Sequence, residues 1–152
     1  MAGATYEGRC HCGQVAVRLE TSRAADALQV RACQCGFCRR HAAMTVSDPS
    51  GAAQITAVAG GLVRYQFATR TATSLLCAAC GVYVGAVLED GGQCWSTLNV
   101  RGLGLEAFAG RTADAVAYEH ESPAERIARR RLKWTPTRLA VGEVSVPSSD
   151  NL

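Results

Sequence analysis

Leu76-Cys77-Ala78-Ala79-Cys80-Gly81-Val82 places two thiols three positions apart on a turn that ends in glycine, and the apolar stretch Val82 to Leu88 follows it directly. In such a turn backbone N–H groups point at both sulfurs, and Gly81 can take the positive φ that the turn often needs. The segment therefore reads as a metal knuckle leading into a strand. It supplies only two ligands. Cys10-His11-Cys12-Gly13 supplies two more, one residue apart, and side chains at that spacing point to the same side of an extended chain. Cys10, Cys12, Cys77 and Cys80 thus make a closed four-sulfur set, the ligand set of a structural zinc. His11, between two ligands, reads as a surface residue or one behind them.

A third cluster, Cys33-Gln34-Cys35-Gly36-Phe37-Cys38, offers three thiols from six consecutive residues. A tripod of this kind leaves one tetrahedral position free, and a free position is what separates catalytic from structural zinc. His41 or Cys94 is able to close that position, which would make the site a second structural centre. Cys94, alone in an apolar segment, otherwise reads as a small buried hydrophobe. Disulfides are the competing account of eight cysteines, but disulfide frameworks spread their cysteines to staple separate loops of small secreted chains, and seven of these are bunched. Iron–sulfur clusters are a further alternative, as is a metal-free middle cluster that acts as a redox sensor.

Three thiolates leave a zinc ion as a weak Lewis acid, poorly suited to activating water for hydrolysis. A substrate thiol suits it better: sulfur matches the metal, and coordination lowers the thiol pKa. The chemistry expected at Cys33, Cys35 and Cys38 is therefore the making or breaking of a carbon–sulfur bond to an electrophilic carbon.

The length of 152 residues suits one domain able to bury a core without covalent help, expected over residues 1–140 with a flexible tail over 141–152. The start carries no basic segment followed by an apolar run, and no stretch reaches membrane-spanning length, so a soluble cytoplasmic protein is the expectation. The formal charge of +3 counts the cysteines as neutral; seven thiolates on two divalent ions bring it to zero, which argues against nucleic acid as a general partner. The run Arg126, Arg129, Arg130, Arg131 and Lys133 reads as a solvated helix face. In the alternative functional reading, a zinc-stabilised binding module without chemistry, that helix is the contact for a macromolecular partner.

Alternating apolar residues predict strands over Val15 to Glu20, Leu28 to Ala32, Gln54 to Val58, Leu62 to Phe67, Val82 to Leu88 and Cys94 to Val100. Asp90-Gly91-Gly92 predicts a hairpin between the last two. Ser122-Pro123-Ala124-Glu125 is a capping box that starts a helix ending near Trp134, before Pro136, with Ala124, Ile127, Ala128 and Arg131 on its packed side. A mainly β, mostly antiparallel fold with a short C-terminal helix follows.

Together, Gly8-Arg9-Cys10-His11-Cys12-Gly13, Cys33 to Arg40, Leu76 to Val82 and Leu98-Asn99-Val100-Arg101-Gly102-Leu103 resemble the glutathione-dependent formaldehyde-activating enzyme family, whose domain is shared with centromere protein V. The resemblance implies an Mss4-like β architecture, a structural zinc on the first and third clusters, and a second, exchangeable zinc on the middle one. It also implies carbon–sulfur lyase activity, the interconversion of S-hydroxymethylglutathione with glutathione and formaldehyde. For a thiol that carries a carboxylate, Arg39 and Arg40 are the cations nearest the tripod in sequence. By family analogy Asn99 and Arg101 line the pocket.

Overall fold

A computed structural model describes residues 3–142 of the chain. Of the tail expected over 141–152, Val141 closes the last strand, and residues 143–152 lie outside the described residues. Eleven strands and three helices follow one another as β1 (Ala4–Arg9), β2 (Val15–Thr21), β3 (Arg31–Cys33), α1 (Gly36–Arg40), β4 (Thr45–Val46), β5 (Ala52–Ala57), β6 (Leu62–Tyr65), β7 (Thr73–Cys77), β8 (Tyr83–Asp90), β9 (Gln93–Asn99), α2 (Glu106–Ala109), β10 (Asp114–Val116), α3 (Pro123–Lys133) and β11 (Thr135–Val141). The fold is mainly β, as expected, and the strands join into one large mixed sheet in the order β1-β2-β5-β11-β9-β4-β3-β10, with β6-β7-β8 running into β9.

β9 is the hub. Its residues pair with β8 along nearly their whole length, with β11 at Trp95 and Ser96, and with β4 at Leu98 and Asn99. Most pairings are antiparallel, but β10 lies parallel to β3 and β11 parallel to β5. Each parallel pair closes a long connection, as parallel neighbours must.

Alternation located β2, β5, β6, β8 and β9 to within two residues or so. Asp90 pairs with Gln93, so the hairpin turn is Gly91-Gly92, with φ of 60° and 77° as the favoured two-residue turn demands. Leu28 and Val30 are buried, yet pairing begins only at Arg31, after a short 3₁₀ turn over Ala25–Ala27. The core gathers Val15, Val17, Leu19, Ile55, Leu75, Val84, Leu98 and Phe108 between the sheet faces.

α3 starts at the expected capping box: Glu125 N donates to Ser122 Oγ at 3.1 Å and Ser122 N to Glu125 Oε1 at 3.0 Å. Its packed side differs from the expected one. Ala124 and Ala128 face solvent, whereas Ile127 and Trp134 pack with Ala86, Leu88 and Trp95. Two anchors seven residues apart define one helix face, and Arg130 lies between them, turned toward the sheet.

Two seams carry the fold near the cysteines. The Asn99 side chain accepts from Met44 N at 3.2 Å and donates to Tyr83 O at 2.9 Å, both buried. Asn99→Ala leaves both backbone groups unpaired and is expected to cost about 2–4 kcal/mol in urea unfolding; a change under about 0.5 kcal/mol would mean that the amide is no staple. At Gly85 a Cβ would lie 2.3 Å from Thr97 O and 3.2 Å from Leu98 Cα, both backbone atoms of the paired strand. Gly85→Ala is expected to lower stability by about 1–3 kcal/mol through strand separation, read from the same unfolding curves.

Candidate functional site

Four sulfurs from two turns converge. Cys10 and Cys12 sit on the β1–β2 turn and Cys77 and Cys80 on the β7–β8 turn, and their Sγ atoms lie within 4.8 Å of one another. Cys10 Sγ is 3.7 Å from Cys12 Sγ, which is 3.5 Å from Cys77 Sγ. Gly13 and Gly81 close the turns with φ of 87° and 80°. As expected of knuckles, amides point at sulfur: Val15 N donates to Cys10 at 3.3 Å and Cys80 N to Cys77 at 3.4 Å. Burial pushes the Cys10 thiol up to about 12. At Cys80 burial works the same way but is outweighed by amide and thiol donors, which bring it down to about 6. A set of crowded, partly buried thiols with inward amides fits a soft divalent cation, which would let all four ionise together.

The middle cluster forms a second group, with the sulfurs of Cys33, Cys35 and Cys38 also within 4.8 Å of one another. β3 ends at Cys33, Cys35 caps α1 by accepting from Cys38 N at 3.4 Å, and Cys38 lies in the helix. Hydrogen bonds from the Cys33 and Cys38 thiols draw Cys35 down to about 2, while bonds with Cys33 and Cys35, and then burial, raise Cys38 far above the usual thiol range. Among the described residues, no fourth His, Cys, Asp or Glu joins this group. His41 caps the end of α1, its ring 4.6 Å from Phe37 and 5.5 Å from Tyr83. Cys94 packs against the core opposite Glu89, and burial raises its thiol to about 11.

Cys33, Cys35 and Cys38 form part of the wall of a cavity of about 220 Å³. The other walls hold Tyr83, Trp134, Arg31 and, from α3, Arg126, Arg129 and Arg130. Tyr83 packs in one cluster with the three cysteines, and burial, with the nearby sulfur charges next, keeps its hydroxyl protonated well above the ordinary tyrosine range. Arg31 is buried and donates to Ser47 Oγ at 2.5 Å and Thr97 Oγ1 at 3.4 Å. Arg129 pairs with Glu121 at 2.9 Å and stacks on Tyr118 at 3.4 Å. Arg130 donates from Nη1 to Thr71 Oγ1 at 2.6 Å, while its Nε is buried with no acceptor. Burial first, and Arg129 and Arg126 next, push Arg130 down to about 10, which leaves it charged at neutral pH.

The arginine run is thus not the solvated face expected from sequence. Arg126, Arg129 and Arg130 turn into the cavity because Ile127 and Trp134 define the packed side of α3, and Arg131 pairs with Asp90 at 3.0 Å. The spacing of those two apolar residues was the signal that sequence reasoning passed over. Tyr83 carried no signal beyond its place after the knuckle. The four positions expected to meet substrate are not among the residues lining this cavity: Arg39 and Arg40 are exposed on α1, Arg40 Nη1 reaching back to Gly36 O at 3.0 Å, Asn99 staples backbone, and Arg101 is exposed with Nη2 3.1 Å from Met44 Sδ. His11 is exposed and stands outside the four-sulfur group. No helix among the described residues is long and apolar enough to cross a membrane.

Comparison with curated proteins gives no match. A crystal structure of a Rhodobacter sphaeroides protein is similar at a TM-score of 0.52 and 28% identity, covering 72% of this chain and 99% of that one. The family model described as "Glutathione-dependent formaldehyde-activating enzyme" matches residues 5–101, a span that holds all seven clustered cysteines and Tyr83. With its two sulfur groups in place, the chain belongs to the glutathione-dependent formaldehyde-activating enzyme family.

Proposed function

We propose that this protein is a zinc-dependent enzyme of the carbon–sulfur lyase type, which forms or cleaves the adduct between a small thiol, glutathione-like in its chemistry, and an electrophilic carbon such as an aldehyde. One observation carries the reading: three sulfurs within 4.8 Å of one another, with no fourth described ligand, sit in the wall of a cavity. Cys10, Cys12, Cys77 and Cys80 would hold one zinc for structure, and Cys33, Cys35 and Cys38 a second. Bound zinc supplies at the second site a place for an incoming sulfur and a lowered thiol pKa.

The rest falls to the chain. When the carbon–sulfur bond forms, the sulfur lone pair attacks the carbonyl carbon, the C=O π pair moves to oxygen, and the proton lost by the thiol is matched by one gained at that oxygen. Cleavage runs the same balance backward. Tyr83, kept neutral beside the sulfurs, is suited to donate a hydrogen bond to the oxygen as charge collects there. Trp134 and Phe67 add apolar wall to the cavity, and apolar surroundings strengthen polar contacts inside it.

Two substitutions separate the two groups. Cys35→Ser is expected to keep the fold and the far-ultraviolet spectrum, to lower zinc from about two to about one per chain, and to abolish acceleration of thiol–aldehyde exchange. Cys77→Ser is expected to lower the melting temperature strongly, since it breaks the set that clamps two turns. Wild-type protein that leaves exchange rates unchanged across a panel of small thiols at full zinc loading would contradict the enzymatic reading.

A further inference from the structure

We infer that the cavity binds the carboxylate of a small thiol substrate on the Arg130 guanidinium, with Arg31 and Arg126 supplying further positive charge, so that the preferred thiol is a compact mercapto-carboxylate. This deepens the proposed function and rests on its sulfur-binding corner. The cations concerned on α3 lie beyond the matched residues 5–101, so family membership does not assign them.

Charge is the first observation. Four arginines line the cavity, and of these four only Arg129 has a carboxylate of a described residue within 4.0 Å, that of Glu121. Glu119, also in the lining, is exposed. The cavity therefore holds more positive charge than its described carboxylates neutralise, and an anionic ligand would offset the remainder.

Donor geometry is the second. Nη1 of Arg130 is committed to Thr71, which leaves the opposite edge of the guanidinium, where the Nε–H and Nη2–H bonds run parallel. Nε on that edge is buried and without an acceptor. An orphan donor on a charged group is costly, and a parallel pair of donors is the fork that carboxylates match. Trp134, with its ring centroid 5.2 Å from the guanidinium carbon, holds the plane in place.

Size is the third. The cavity measures about 220 Å³. Drug-sized ligands occupy clefts of about 300–1,000 Å³, so this space suits a thiol and carboxylate joined by a short chain better than a whole tripeptide.

The test uses protein loaded with cobalt in place of zinc, whose absorption reports sulfur joining the metal; the four-sulfur site adds a constant background. It is titrated with 3-mercaptopropionate and with the uncharged 3-mercaptopropionamide. Propionate, which lacks the thiol, is titrated separately against tryptophan emission. Wild-type protein is expected to bind mercaptopropionate about tenfold or more tightly than the amide, and Arg130→Gln to shrink that preference to about twofold or less while the amide binds as before. Propionate should perturb the emission in wild type and not in the variant.

Equal affinity for the two thiols in wild type overturns the carboxylate subsite and leaves the metal–thiol reading standing, and the wild-type comparison does so even if the variant folds poorly. A cobalt spectrum that no thiol changes, with a propionate response that still depends on Arg130, overturns the metal–thiol reading and keeps the oxyanion subsite. No response to any of the three overturns both.

Discussion

Thiols gathered this closely could hold a cation between them. Four sulfurs from turns more than sixty residues apart in the chain lie within 4.8 Å of one another, and burial first, with the neighbouring thiols of Cys77 and Cys12 adding to it, pushes Cys10 up to about 12. Neutral thiols at that spacing gain little from one another, whereas four thiolates on a divalent ion would tie the two turns firmly together. Such a tie would fix where β8 begins. Tyr83 opens β8 three residues after Cys80, so clamping the β7–β8 turn against the β1–β2 turn also sets the wall beside Cys33, Cys35 and Cys38. The structural group and the candidate catalytic group are thereby parts of one arrangement, linked through a single strand.

The cavity joins ends of the chain that sequence keeps apart. Its sulfur wall comes from β3 and α1, its cationic wall from α3, and Asn99 holds the strand between them by pairing with Met44 N and Tyr83 O. Positive charge across from a sulfur trio is a consistent device: zinc on three thiolates is formally anionic, and an acidic thiol adds more negative charge, so arginines opposite offset both. Arg129 is already neutralised by Glu121, which leaves Arg31, Arg126 and Arg130 to meet a ligand.

Much of this was legible in the residues, and the remainder was hidden for physical reasons. Cysteine spacing alone divided the thiols into the two groups that the structure brings together, because ligand geometry is local. Alternation found the strands with one wetter face, such as β2 and β5. It passed over β7, whose Thr73-Ser74-Leu75-Leu76 sequence sets two polar residues before two apolar ones without alternation, and β11, where Pro136 interrupts the pattern. Nearness in sequence was a poor guide to the cavity wall: Arg39 and Arg40 are adjacent to Cys38 and point to solvent, whereas Arg130, nearly a hundred residues on, reaches the cavity because Ile127 and Trp134 orient α3.

The central claim is that the ion on Cys33, Cys35 and Cys38 keeps a corner for sulfur from outside the chain. X-ray absorption at the zinc edge of protein loaded with two zincs counts sulfur neighbours directly. One closed and one three-sulfur centre average about 3.5 sulfurs per zinc, rising to about 4 when a small thiol is added. A value already at about 4 without added thiol, and unchanged by it, would show the corner closed by the protein itself and contradict the account.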